Sequence, residues 1–382
     1  MTTPSSTGRF PRNDIISLLD VNRQFNLAES TARDLTFGEL LDLAGGPSAL
    51  SALRLGYGTS AGLPRLREAV ADQTCVTPDE VITTQGTALG LFLLAFELCR
   101  PGDEVVITTP CFPPTRNSLI GAGAELREIR LSFDDGYRLR AAEIEPHLGD
   151  RTRLVSLASP QNPNGVSTPI EEIEHLLEIM LRKSPTAFLF VDETYRDATY
   201  GDATPLPSAG SLGERVITGA SVSKAHGAPG LRTGWLTVRD PDLRRRLILA
   251  KMNLVISGSP LDETLAAAIL EQRDHILAPR RKMLADAITL TSRWVEHETA
   301  VLEWVKPDAG ALCCIRLRSS VFDAARQRRF WELLPDAKLQ LGDGAWFGES
   351  SGVFRLGFGY LPLPELTRAL DALSGVLAAV VC

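Results

Sequence analysis

Four short apolar runs in the middle of this chain each hand over to a chemically distinctive side chain. That rhythm restricts the fold more than any other feature. Glu104–Thr108 is followed by Phe112, Arg153–Ala158 by Asn162, Ala187–Val191 by Asp192, and Val216–Gly219 by Ser221 and Lys224. Apolar runs of this length read as buried strands. Two further strands are expected at Val81–Thr83 and Trp235–Val238. Helical patterns alternate with them at Leu63–Asp72, Ala88–Cys99, Thr115–Ala122, Ile170–Leu181, Pro241–Met252 and Pro260–Gln272. Such alternation predicts an α/β fold, a three-layer sandwich with a mostly parallel sheet. In open α/β sheets ligands bind outside the carboxyl ends of the strands. The four segments are therefore expected to deliver their chemistry to one edge.

The last of them carries the most. Ser221-Val-Ser-Lys224-Ala-His-Gly-Ala-Pro-Gly-Leu-Arg232 follows the apolar run Arg215–Ala220. A lysine just after a buried strand, among small and hydroxyl residues, is expected to be partly desolvated. Desolvation favours the neutral amine, which attacks carbonyls. Ser221, Ser223 and Arg232 lie near enough in sequence to hold an anion beside it. Asp192 ends the apolar strand Ala187–Val191, and a carboxylate there is costly unless it meets a cation. Gly86-Thr87-Ala88 opens an apolar helix after a short strand. A helix start presents free N–H groups and a positive dipole end, a natural seat for phosphate. Together these are the parts of a pyridoxal 5'-phosphate (PLP) site: an imine-forming lysine, a phosphate cradle and a carboxylate for the ring nitrogen.

At these residues the chain resembles the fold-type-I PLP enzymes, the class I/II aminotransferases of the aspartate aminotransferase superfamily. Their motif runs Ser-x-x-Lys, seven residues, then Arg, with Gly two positions on. Here that is Ser221, Lys224, Arg232 and Gly234, followed by Trp235. The resemblance implies that Gly86, Thr87, Ala88, Ser221, Ser223 and Arg232 hold the cofactor phosphate. It implies that Phe112, within Pro110-Cys111-Phe112-Pro113, stacks on the ring; Thr115 stands where many relatives carry a second tyrosine. Asn162, in an Asn-Pro-Asn-Gly turn, and Tyr195 are implied to bond the phenolic oxygen. Asp192 is implied to keep the pyridine nitrogen protonated. Arg355, in Val353-Phe-Arg-Leu-Gly-Phe358, is implied to grip the substrate α-carboxylate, for which a planar guanidinium is suited. Tyr57, in Leu55-Gly-Tyr-Gly-Thr-Ser-Ala-Gly-Leu-Pro-Arg65, is implied to reach the phosphate of a neighbouring subunit. That implies a homodimer with shared active sites.

After about residue 285 the pattern changes to strands at Val301–Val305, Leu312–Leu317 and Val353–Phe358 with helices at Phe322–Leu334 and Pro364–Leu377. This predicts a smaller α+β domain. The expected division is a large PLP-binding domain at 41–284 and a small domain from 1–40 and 285–382, the N-terminal residues joining the small domain as in the family. The net charge of −7 argues against a nucleic-acid partner. Arg244-Arg245-Arg246 reads as a solvated helix face. No apolar stretch approaches 18 residues, so no membrane span is expected. The first ten residues lack the apolar core of a signal peptide. The six cysteines show no C-x-x-C pair and read as buried free thiols. The histidines show no metal spacing, and His226 reads as structural. A cytoplasmic location is expected.

The resemblance implies transfer of an amino group between an amino acid and a 2-keto acid through Lys224. Lyase or cyclase chemistry uses the same residues, and a PLP-fold binding module is a further alternative. In Phe25-Asn-Leu-Ala-Glu29-Ser-Thr31, which resembles the family's pocket-lining N-terminal loop, Glu29 stands where most relatives carry a small apolar residue. Facing the pocket, it favours a substrate with a cationic side chain. This acidic loop together with the Lys224–Trp235 stretch also resembles capreomycidine synthases, PLP enzymes that cyclise a hydroxylated arginine.

Overall fold

A computed structural model describes residues 8–21 and 23–381. Its strands are β1 (Phe25–Asn26), β2 (Val81–Thr84), β3 (Glu104–Thr109), β4 (Glu125–Arg130), β5 (Thr152–Ala158), β6 (Phe188–Asp192) and β7 (Val216–Ser221). They continue with β8 (Gly234–Val238), β9 (Leu302–Val305), β10 (Leu312–Leu317), β11 (Leu339–Gln340), β12 (Gly342–Asp343) and β13 (Val353–Gly357). β2 to β8 form one seven-stranded sheet in the order β2-β8-β7-β6-β5-β3-β4. β7, β6, β5, β3 and β4 run parallel; β8 is antiparallel to both neighbours.

Successive side chains of a strand point to opposite faces, and both faces of this sheet are covered. Val105, Ile107, Phe188 and Phe190 join the helices Thr87–Leu98 and Pro241–Val255 on one face. Val106, Leu189 and Val191 join the helix Ile170–Lys183 on the other. That makes the three layers and explains why these strands read as unbroken apolar runs.

The second sheet, β12-β13-β10-β9, is antiparallel and buries Ile315 and Phe354 against the helices Arg273–His297 and Leu363–Val381. β1 pairs in parallel with β11, so the N-terminal segment is built into this part of the molecule. The segment crosses directly over β13: Gly357 N donates to Leu27 O at 2.7 Å. A Cβ at Gly357 would collide with the Glu29 carbonyl, so the crossing needs glycine there.

Three elements differ from the sequence expectation. β4 is an edge strand whose side chains mostly face solvent, and its charges hid it. The helix Arg273–His297 contains Pro279, which interrupted the helical pattern. It also runs unbroken across residue 284, where a domain boundary was expected. The helix expected at Thr115 begins at Pro113, since its first turn needs no proline N–H. Among the cysteines, Cys99, Cys313 and Cys314 are buried, but Cys111 is only half-buried and Cys75 is exposed at a left-handed helix C-cap. Cys382 lies outside the described residues. Among the described residues no helix is long and apolar enough to cross a membrane.

One buried polar cluster fixes the turn after Tyr57. Lys251 is fully buried and donates to Thr83 Oγ1 at 3.1 Å. Thr83 donates to Glu263 Oε1 at 2.5 Å, and Leu63 N donates to Glu263 Oε2 at 2.7 Å. Burial pulls the Lys251 amine down to about 8, against the pull of Glu263. Glu263→Ala strands that amine and frees the turn. It is expected to cost about 3–5 kcal/mol in urea unfolding, the penalty for an uncompensated buried charge.

Candidate active site

The strand register sets the site. Ala158 of β5 lies opposite Asp192 of β6, and Asp192 opposite Gly219 of β7. Three parallel strands thus end level, and the turns after them open into one cavity of about 710 Å³. Of the residues singled out from sequence, Glu29, Gly86, Thr87 and Ala88 line it, as do Phe112 and Asn162. So do Asp192, Tyr195, Ser221, Ser223, Lys224 and Arg232. Thr115 is on the wall near Phe112. A second cleft of about 760 Å³, between residues 33–43, 272–283 and 359–364, shares only Tyr360 with it and has no comparable constellation.

One end of the cavity suits a phosphate. The helix Thr87–Leu98 starts with no side chain capping its N–H groups. Gly86, at φ +77°, precedes it, and a Cβ there would lie 2.5 Å from Arg232 Nη2. The absent side chain is what lets the guanidinium reach the helix start. A Cβ on Gly234 would lie 2.7 Å from Thr87 N, so β8 also passes tightly beneath this seat. Ser221 Oγ accepts from Ser223 N at 3.3 Å on its flank.

Asp192, also on the wall, receives a backbone N–H from Thr194 at 3.0 Å. Burial pushes its carboxyl above the ordinary range, while the Thr194 bonds and Lys224 pull the other way. Among the described residues no cationic side chain is hydrogen-bonded to it, so a ring N–H⁺ of a bound molecule would complete it. Glu193 points the other way and is consumed by Ser208 and Ala209 N. These features fit PLP: a positive seat for its phosphate, a carboxylate for its ring nitrogen, and an amine between them.

Lys224 Nζ lies 3.6 Å from Glu29 Oε1 and donates to Ser30 Oγ at 3.1 Å. Burial works against the charge of Glu29, but Lys224, the Ser30 N–H and Arg355 outweigh it and hold the carboxyl below its usual range. Asp34, also on the wall, is shifted upward by burial and by Glu29. Asn162 Nδ2 donates to Tyr195 Oη at 3.3 Å. Arg355, 2% exposed, does not itself line the cavity but reaches it through Asn162, donating from Nη1 to Oδ1 at 2.9 Å. Its Nη2 donates to Ala28 O at 2.6 Å and its Nε has no partner. Tyr57 is 85% exposed and outside the cavity. Ser30, Asp34 and Thr194 were missed as site residues, because small or acidic loop residues carry no signal until their partners are known.

His226 is buried off the cavity, with Nε2 at 3.5 Å from Asp197. Arg273 holds the same carboxylate at 2.7 Å. Burial lowers the imidazole to about 4.

The whole chain reads as a PLP-dependent enzyme of amino acid chemistry. The family described as "Aminotransferase class I and II" matches residues 24–373, and the chain belongs to that family. Its cofactor is pyridoxal 5'-phosphate. A capreomycidine synthase from Streptomyces vinaceus is 34% identical over 91% of this chain and 88% of its own. An arginine–pyruvate transaminase from Pseudomonas aeruginosa is 26% identical over 82% of this chain and 81% of its own. A solved PLP-dependent aminotransferase from Streptococcus suis superposes with a TM-score of 0.87 at 23% identity, covering 97% of this chain and 98% of that one.

Two predictions follow from this geometry. Lys224→Ala is expected to abolish the visible absorption of the holoenzyme. Gly86→Ala, which displaces Arg232, is expected to weaken PLP binding about tenfold or more, the worth of one charge-assisted contact, in equilibrium dialysis. Separately, the unfolded chain binds a proton at His226 that the folded chain refuses between pH about 6.5 and about 4. Stability should therefore fall as pH drops through that window. His226→Gln is expected to remove roughly 2 kcal/mol of that acid sensitivity in denaturant titrations at pH 7.5 and 4.5.

Proposed function

We propose that this protein is an aminotransferase that takes the amino group of an α-amino acid with a cationic side chain and passes it to a 2-keto acid. Glu29 carries the reading: an ionised, half-buried carboxylate on the cavity wall beside Lys224. A carboxylate that a bound substrate would bury further demands a cation. Once Lys224 is engaged with the cofactor, a substrate ammonium or guanidinium supplies one. A relative named for arginine and pyruvate supports the same choice.

PLP, when bound, supplies a carbonyl that condenses with amino groups and a ring that accepts electrons as the substrate Cα loses its proton. The chain's own residues do the rest. Asp192 holds the ring nitrogen protonated. Asn162 and Tyr195 present hydrogen-bond donors to the phenolic oxygen. Arg355, with its unpaired Nε, holds the α-carboxylate beside Asn162. Lys224 Nζ, displaced by the incoming amine, takes the Cα proton. Where it returns that proton decides the outcome.

A second reading is cyclisation of an arginine derivative. Its support is the similarity to capreomycidine synthase along nearly the whole chain. Both readings use the same residues up to Cα deprotonation.

The site is proposed to be shared in a homodimer. Leu55, Tyr57, Leu249, Met252, Leu254 and Ile256 are exposed, and Lys251 ties the end of their helix to the turn after Tyr57. A second copy covering this apolar face would bring Tyr57 toward its partner's phosphate seat. The proposed large domain remains 41–284, with the long helix Arg273–His297 as its link to the rest.

The deciding experiment is a single turnover of holoenzyme with arginine, ornithine, lysine or hydroxylated arginine, against leucine and aspartate. Keto acid equal to enzyme, with the cofactor left in its amine form, is the expected result. A cyclic product with the cofactor unchanged establishes the second reading. Glu29→Gln is expected to cut kcat/KM for the cationic substrates about 10- to 100-fold and to raise it for leucine. A wild-type preference for aspartate or leucine overturns the substrate class.

A further inference from the structure

Ser30 stands within an unbroken chain of side-chain hydrogen bonds that runs from Arg355 through Asn162 and Tyr195 to Lys224. At one end Arg355 Nη1 donates to Asn162 Oδ1 at 2.9 Å. A guanidinium only donates, so the amide oxygen must face it and Nδ2 must face Tyr195. Asn162 Nδ2 accordingly donates to Tyr195 Oη at 3.3 Å. At the other end Lys224 Nζ donates to Ser30 Oγ at 3.1 Å. Ser30 Oγ lies 2.9 Å from Tyr195 Oη. Either hydroxyl can donate between them, since Ser30 keeps a second lone pair after accepting from Lys224. With Ser30 as donor, both lone pairs of Tyr195 are taken and its own proton is left for whatever fills the cavity. Ser30, Tyr195, Asn162 and Arg355 are 3%, 5%, 7% and 2% exposed.

We propose that Ser30 is a positioning residue of the active site. Its hydroxyl holds the Lys224 nitrogen and joins it to Tyr195, coupling the acid–base amine to the group that bonds the cofactor's phenolic oxygen. The proposal rests on the cofactor site and not on the substrate read above, so its test contains no substrate in the first arm.

The charged and titratable groups facing Lys224 and Ser30 are Glu29 and Asp34 from the N-terminal segment, Asp192 and Tyr195 from the end of β6, and Arg355 from β13. Ser30→Ala and Ser30→Thr leave all of them in place. The first measurement is the pH midpoint of the visible absorption change of the holoenzyme. Ser30 Oγ accepts from the nitrogen and so favours its protonated form. Ser30→Ala is therefore expected to lower the midpoint by about one pH unit, while Ser30→Thr stays near wild type. The second is turnover with whichever amino acid proves reactive. Ser30→Ala is expected to lower kcat about 10- to 100-fold with KM within threefold, and to add little in a Tyr195→Phe background. Thermal midpoints and cofactor content should match wild type. Should the alanine variant bind no PLP, Ser30→Gly replaces it in the same comparison with threonine. Equal midpoints in the hydroxyl-bearing and hydroxyl-free variants, or additive losses with Tyr195→Phe, overturn the proposal.

Discussion

The site depends on a carboxylate held where carboxylates are least stable. Asp192 closes a strand of Phe188, Leu189, Phe190 and Val191, all buried between two layers of helices. The register with β5 and β7 puts it level with the starts of two loops, one bearing Asn162 and the other Ser221 to Lys224. Burial raises its carboxyl, and only Thr194 and the distant charge of Lys224 offset that cost. A cation brought by the cofactor would repay it. On that proposal the least comfortable group of the fold would be satisfied by the molecule it binds.

The remaining groups reach the same place from far along the chain, through contacts that only the second sheet provides. Arg355 sits on β13, and its guanidinium spans Asn162 of the large sheet's edge and Ala28 of the N-terminal segment. That segment can lie there because β1 pairs with β11 and because Gly357 leaves room for its backbone. The N-terminal loop, the β5 turn and β13 are therefore locked together by one arginine. A substrate carboxylate held beside Asn162 would be read through this arginine by all three at once.

Most of this was legible where local chemistry and local pattern agree. Runs of Val, Ile, Leu and Phe ending abruptly on Asp192 or on Ser221 mark both a buried strand and a site residue, because a polar group is tolerated there only at a sheet edge. β4 escaped because an edge strand needs its charges. The helix Arg273–His297 escaped because Pro279 masks its period. Ser30 was invisible for a different reason. Its partners lie 165 and 194 residues away, and a serine means nothing chemically until the fold sets it between an amine and a phenol. Tyr57 reverses the case: its motif is legible, yet it faces solvent in the single chain.

The charge balance of the cavity ties these parts to the choice of substrate. In the proposed site Arg232 and the free helix start would meet the phosphate, Asp192 the ring nitrogen, and Arg355 the α-carboxylate. Each anion that enters would be matched by a cation of the protein, and each cation by an anion. Lys224 and Glu29 face one another across 3.6 Å as the remaining pair. While the Lys224 nitrogen is neutral, as it must be to take the substrate Cα proton, Glu29 would lack its cationic partner, and the arriving proton would restore it. A substrate with an apolar side chain would leave that carboxylate unpaired until then. A cationic side chain would pair with it from the moment of binding and through proton transfer, so the proposed preference would be expressed in kcat/KM.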